Sequence, residues 1–311
     1  MLAAFSNDFN IRLIDLETGD IIRVLEGHKK EEGHNWKIFS VKFNFDNSLI
    51  VSSCDDSTIK IWNTETGECL RTLECHGCYI TSVCFSPDSR LILASNDKTI
   101  RILNCETGDF ICILEGHTRH ISSFSFSLDG TKIVSGSRDQ TIRIWNFETY
   151  ECLLTLRGHI NYINSVSFNP NGDRIISGSD DKTVRIWDSL SGECLRILNG
   201  HTNSVTSVSF SPDGSKIVSS SADGSIRILN SETYECLNIL IGHYHVITSI
   251  CFSPDCSKIF SCSLDKTIKI WLLDSIMDKF DIQRNSYLKT INYLGYVCSI
   301  DASHEITGNY I

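Results

Sequence analysis

Short runs of apolar residues, alternating with polar ones or unbroken, recur along the whole chain, and each is closed by a cluster of turn-forming residues. Ile121–Phe126, 132–137, 141–145 and 151–156 are four successive runs of this kind. Signals such as Ser211-Pro212-Asp213-Gly214 and Thr66-Gly67 separate such runs elsewhere. Runs this short, bounded this way, predict consecutive antiparallel strands. Only 274–285 has a helical pattern, a short amphipathic segment with Ile276, Phe280 and Met277 on one side.

The runs belong to a repeat, which outranks every other signal in the chain. Ile59-Lys60-Ile61-Trp62 returns as Ile100-Arg101-Ile102-Leu103 and Ile142-Arg143-Ile144-Trp145. It returns again as Val184-Arg185-Ile186-Trp187, Ile226-Arg227-Ile228-Leu229 and Ile268-Lys269-Ile270-Trp271, at spacings of 41, 42, 42, 42 and 42. A weaker copy, Ile11-Arg12-Leu13-Ile14-Asp15, lies 48 residues before the first. Six residues before each Trp position stands an acid: Asp8, Asp56, Asp97, Asp139, Asp181, Asp223 and Asp265. Gly-His pairs keep step at Gly33-His34, Gly116-His117, Gly158-His159, Gly200-His201 and Gly242-His243, with Cys75-His76 in their place once. Seven units of four strands, a to d, follow.

With its register of acids and histidines, the chain resembles the WD-repeat (WD40) β-propeller family over essentially its whole length. It is similar to the β subunit of heterotrimeric G proteins and to the propeller subunit of histone methyltransferase complexes. The resemblance implies one all-β domain over 1–311, a seven-bladed WD40 propeller with four-stranded antiparallel blades. Unit one begins at strand b, so its blade is expected from 1–26 plus a C-terminal strand at 296–301. That strand would close the ring and remove two exposed sheet edges. The other blades are expected at about 38–73, 80–115, 121–157, 163–199, 205–241 and 247–292. Two insertions, 27–37 and 272–286, depart from the period.

Four units combine Ser, His, Asp and Trp at fixed spacing: His34, Ser52, Asp56, Trp62; His117, Ser135, Asp139, Trp145; His159, Ser177, Asp181, Trp187; and His243, Ser261, Asp265, Trp271. The set has the composition of a catalytic triad. Four copies suit scaffolding better than one active site, and the resemblance implies a relay of hydrogen bonds from indole through hydroxyl and imidazole to carboxylate. Units three and six have Leu103 and Leu229 in place of Trp, and Leu93 is expected where unit three lacks the Ser. One Lys or Arg in every strand c reads as a side chain lying between sheets. Cys69, Cys152, Cys194 and Cys236, each in a Glu-Cys-Leu triplet, read as copies of one buried strand position.

Function is expected on the face carrying the d–a and b–c loops, since loops on a rigid frame carry it. There the repeat varies most. Trp36, Lys37, Phe39, Asp55, Tyr79, Thr81, Arg119, His120, Arg138, Tyr162, Asn164 and Asp180 are the candidate partner-binding residues, on units two to five. Several are aromatic or Arg, the types enriched at hot spots. The expected role is a non-catalytic protein–protein interaction scaffold or adaptor, monomeric by itself, binding proteins or peptides. The alternative is a peptide or histone-tail reader at the central channel, though Phe39 alone is aromatic at the positions where the family's histone-tail reader clamps an arginine. A propeller enzyme ranks last, for want of a metal-ligand spacing, phosphate loop or nucleophile elbow.

Composition narrows this further. A formal charge of −10 argues against nucleic acid as a ligand. No stretch has the length of apolar sequence a membrane helix needs. Met1-Leu2-Ala3-Ala4-Phe5 meets Asp8 too soon for a secretory leader, so cytoplasm and/or nucleus is the expected compartment. No cofactor or metal is expected.

Overall fold

The computed structural model describes residues 2–5, 10–15, 20–27, 38–74, 80–96, 98–273 and 287–292. Units two to seven each form a four-stranded antiparallel meander, with strands paired in chain order. In unit four the strands are Ile121–Phe126, Lys132–Ser137, Thr141–Asn146 and Cys152–Arg157.

The expectation of seven four-stranded blades is corrected here. Six blades have four strands, and the N-terminal strands Leu2–Phe5, Ile11–Ile14 and Ile21–Leu25 form a separate three-stranded sheet. The described strands of unit one occupy places b, c and d, and no described strand pairs at place a. The segment expected to fill that place, 296–301, lies outside the described residues, as do 28–37 and 274–286.

Burial within a blade falls from the middle strands outward. Strand b of unit five is almost wholly buried, and strand d is mostly exposed. The physical reason is that b and c have both faces covered by neighbouring units. The core therefore sits between units. Val134, Ile142, Ile144 and Leu156 of unit four pack with Ile163, Val166, Phe168, Ile175 and Trp187 of unit five. The same arrangement joins three to four, five to six and six to seven. Ile11, Leu13 and Leu25 of the first sheet likewise pack with Ile38, Val41 and Trp62 of unit two. Burying a Trp or Ile in such a seam is worth about 1.5–3 kcal/mol each. A unit deprived of its neighbours loses that term.

Strand d corrects one expectation. Cys69, Cys152, Cys194 and Cys236 are free and exposed, because the edge strand that carries them has no neighbour outside it. Ten of the described cysteines are free, and Cys262 is disulfide-bonded.

The strands a of units two to seven line a central channel of about 690 Å³. One mouth carries the d–a and b–c loops and the other the a–b and c–d turns, a consequence of the antiparallel order. On the second face the two kinds of turn are tied together within each unit, as by Phe147 N donating to Thr131 O and Ser189 N to Asp173 O.

Candidate functional site

The polar relay is built at the seam between units. In unit five, Trp187 Nε1–H donates to Ser177 Oγ at 2.8 Å, and Ser177 Oγ lies 2.7 Å from His159 Nε2. His159 Nδ1 lies 2.7 Å from Asp181 Oδ2. The ends of this chain set its direction. An indole only donates and a carboxylate only accepts, so Ser177 donates to Nε2 and Nδ1–H donates to Asp181. A neutral imidazole satisfies every member. Unit four repeats the chain at 2.8, 2.8 and 2.9 Å, and unit seven at 2.9, 2.8 and 2.7 Å.

Burial lowers the pKa of His159, His201 and His243 against the pull of their aspartates. Burial would raise the carboxyls, but their hydrogen bonds win. Bonds from His159 and Thr183 hold Asp181 far below the usual carboxylate range, and those from His117, Thr141 and Thr118 N do so for Asp139.

The arrangement has the members of a Ser-His-Asp triad and no route to a substrate. Ser135, Ser177, Ser219 and Ser261 are all 0% exposed, and the imidazoles of His117, His159 and His243 are likewise sealed. A nucleophile has to touch its substrate. These groups satisfy one another, as buried polar groups must.

Sequence reasoning missed three parts of the relay. Two residues after each Asp, a hydroxyl donates to Oδ1 at 2.6 Å: Thr58, Thr141, Thr183, Ser225 and Thr267. The signal was the recurrent Asp-x-Thr/Ser. Unit six keeps His201, Ser219 and Asp223 together at 2.9 and 3.2 Å although Leu229 replaces Trp. The glycine before each His has a packing role. A side-chain carbon on Gly158 would lie 2.7 Å from Arg185 Nη1 and 3.1 Å from Trp187 Cη2, and Gly116 meets Arg143 and Trp145 in the same way. The strand c cation thus lies between units, where Arg143 also stacks 5.8 Å from the Trp145 ring.

That packing revises two assignments. A side-chain carbon on Gly27 would lie 3.1 Å from Trp62 Cη2, in the place Gly116 and Gly158 take on their tryptophans. Leu25 pairs with Ile11 as Leu114 pairs with Ile100, so Gly27 holds in unit two the place that Gly116 holds in unit four. His28 and His34 themselves lie outside the described residues, while Trp62 donates to Ser52 at 2.8 Å and Thr58 to Asp56. In unit three, Ala94 pairs with Arg101 as Ser135 pairs with Arg143, so Ala94, not Leu93, stands where the hydroxyl is missing. The b–c turn of unit three is one residue shorter, which misleads counting back from Asp97.

The candidate partner-binding residues divide into two groups. Thr81 and Asn164, with Thr206 at the same position of unit six, point across unit boundaries and donate to Ile121 O at 3.2 Å, Val205 O at 2.9 Å and Ile247 O at 2.5 Å. They staple adjacent strands a at the channel mouth, where Phe39 also lines the wall. Asn164 Nδ2 also donates to Asp180 Oδ1 at 2.7 Å. The second group lies further out. Arg138 sits 5.8 Å above the Tyr162 ring, and Arg119 Nη1 is 3.4 Å from Tyr162 Oη. Both arginines are exposed. His120 and Asp55 are half-buried, and Trp36, Lys37 and Tyr79 lie outside the described residues.

Among the described residues, no group of three or more His, Cys, Asp or Glu is placed to hold a metal ion, and no helix is long and apolar enough to cross a membrane.

The family model "WD domain, G-beta repeat" matches six stretches: 19–63, 67–104, 108–146, 150–188, 192–230 and 234–271. Among curated proteins, the chain is 34% identical over 77 residues to a WD repeat-containing protein 89 homolog of Dictyostelium discoideum, covering 25% of this chain and 20% of that one. It is 33% identical over 104 residues to the nuclear distribution protein PAC1 of Arthroderma otae, at 30% and 21% coverage. To the eukaryotic translation initiation factor 3 subunit I of Debaryomyces hansenii it is 40% identical over 63 residues, at 20% and 18%. The chain thus covers about a fifth of the length of these relatives. Sealed relays in units four to seven, seams that bury Trp62, Trp145, Trp187 and Trp271 against neighbouring units, and six repeat matches agree: the chain belongs to the WD-repeat family of β-propellers, typically non-catalytic scaffolds.

Proposed function

We propose that this chain is a protein–protein interaction scaffold that docks a partner on the d–a and b–c loop face of units four and five. The observation that carries this reading is the Tyr162 ring held between Arg138 and Arg119 on an exposed surface. Tyr and Arg dominate interface hot spots, and a ring already ordered by two cations loses little entropy on binding. The surrounding relay favours it too, since a rigid frame is what lets a loop present such a group. One matched relative is named as a subunit of an initiation factor, which fits a role inside an assembly.

The channel-mouth reader is the weaker reading. Thr81, Asn164 and Thr206 spend their polar groups on neighbouring strands, so few are left there to read a peptide. The ten free thiols suit a reducing compartment, cytoplasm and/or nucleus, although the bonded Cys262 does not share in that argument.

Affinity purification with Arg138→Glu/Tyr162→Ala against the wild type tests the site. Specific partners should fall at least tenfold in yield while the melting temperature holds. Undiminished capture by the double variant would place the docking surface elsewhere.

A further inference from the structure

The mouth opposite the proposed docking face differs in chemistry, and each unit contributes to the difference at the same position of its a–b turn. Phe45, Pro87, Leu128, Pro170, Pro212 and Pro254 all line the channel there. Phe45 is 53% exposed and Leu128 49%. The turns adjoin: a side-chain carbon on Gly130 of unit four would lie 3.1 Å from Pro87 Cγ of unit three, and one on Gly214 of unit six 3.6 Å from Pro170 Cδ of unit five. One apolar residue from each of six consecutive units therefore forms a rim around an opening whose volume suits a ligand cleft. Among the described residues the other mouth has no such apolar ring: Phe39 lines it, but Thr81 and Asn164 bond to adjacent strands there.

The surround has a sign. In units three to seven the a–b turn acid has a basic residue close by, as with Asp129 and Lys132 or Asp255 and Lys258, while Asp46 of unit two has Leu49 at that place, so this inner ring is nearly balanced. Ser253 and Ser257 hold the Asp255 carboxyl down at about 2, so it stays charged. The outer ring is acidic on balance, although Arg23 and Arg174 reach the c–d turns of units two and six and Arg196 lies over the Tyr234 ring. The c–d turns of units two to six carry two acids apiece and no Lys or Arg, among them Glu65 and Glu68, Glu106 and Asp109, and Glu148 and Glu151. Because c–d turns are tied to a–b turns on the same face, these carboxylates encircle the apolar rim.

We propose that this mouth docks a basic segment of a protein partner, which inserts one or two apolar side chains into the rim and places its Lys and Arg against the c–d turn acids. The charge surplus selects the sign of the partner, and the rim supplies the desolvated anchor that charge alone lacks. Together with the Arg138–Tyr162 face, this would let one propeller hold two partners on opposite sides. The two proposals stand on separate residues.

Fluorescence anisotropy with a fluorescein-labelled acetyl-Lys-Arg-Leu-Phe-Lys-Arg-amide peptide tests it. The peptide is expected to bind the whole chain, with affinity falling at least tenfold when Leu-Phe becomes Gly-Gly and weakening as salt rises. Phe45→Ser/Leu128→Ser, at two exposed positions, should also weaken it at least tenfold without lowering the melting temperature. Glu106→Lys/Glu148→Lys should do the same through charge, and it decides the matter should the rim variant fail to fold. Arg138→Glu/Tyr162→Ala should leave binding unchanged, which separates this site from the other face. Equal binding of the Gly-Gly peptide, or wild-type binding by a folded rim variant or by the charge variant, would overturn the proposal.

Discussion

Units five and six differ at one member of an otherwise shared relay. Both hold a buried imidazole between a serine and an aspartate, with a hydroxyl two residues beyond the acid. Unit five adds the Trp187 indole on Ser177, whereas unit six has Leu229. Arg227 takes a different course there: it reaches Gly200 O at 2.6 Å. The His–Asp core therefore stands without the tryptophan, and the tryptophan is an addition that needs the serine. Unit three supports the same order, since Ala94 and Leu103 replace acceptor and donor together. A buried polar group persists only where its partner does.

The largest expected effect strikes what the two units share. His159, His201 and His243 have folded pKa values below the ordinary one, so the unfolded chain takes up protons first as pH falls through about 6.5. Asp139, Asp181, Asp223 and Asp265 are also lowered, so their contribution is full above about 4 and lost as pH falls further. Both groups act in one direction: where the unfolded state binds more protons, stability rises with pH. Melting temperature should be level between pH 7 and 8, decline below about 6.5 and collapse below about 4. His159→Gln should make the decline between about pH 7 and 5 shallower, with His201 and His243 keeping the rest of it. A melting temperature that rises on acidification would refute the neutral-imidazole relay.

Removing the serine separates the two units. Ser177→Ala strands the Trp187 N–H and the His159 Nε2 together, an expected loss of about 3 kcal/mol, while Ser219→Ala strands the His201 Nε2 alone at about 1–2 kcal/mol. Urea unfolding of the two variants measures the gap. Equal losses would mean that the indole finds another partner or never depended on the serine.

How far this was legible in the sequence follows from what a period can encode. Strand positions, turns and the Ser-His-Asp register repeat every 42 residues, so counting found them, and the strands of unit four fall within a residue of their expected bounds. Counting failed where the period changes. The shortened turn of unit three shifted its serine position from Ala94 to Leu93, and the extra residues before Ile38 drew attention to Gly33 when Gly27 is the residue packed on Trp62. It also says nothing about what lies beside a strand. Cys152 recurs like a core residue, but strand d is an edge and leaves it exposed. Among the partner-binding candidates, variation alone did not separate the Thr81 and Asn164 staples from the outlying Arg138–Tyr162 pair. Only the direction of each hydrogen bond does that.

The smallest expected effect is the most diagnostic of why unit six lacks its tryptophan. Leu229→Trp places an indole opposite Ile217 and Cys236, as Trp187 lies opposite Ile175 and Cys194, with Ser219 Oγ in position to accept its N–H. Against that gain stands Arg227, whose guanidinium approaches Gly200 more closely than Arg185 approaches Gly158. The indole has to push it aside and break the bond to Gly200 O. A hydrogen bond gained and one lost, with added bulk in a packed seam, should leave stability within about 1 kcal/mol of the wild type. Adding Arg227→Ala removes the obstruction, so the tryptophan should then be stabilising relative to Leu229 in the same background. A tryptophan that destabilises by the same amount with or without Arg227 would place the obstacle in the neighbouring unit, and not in the cation that has moved into its space.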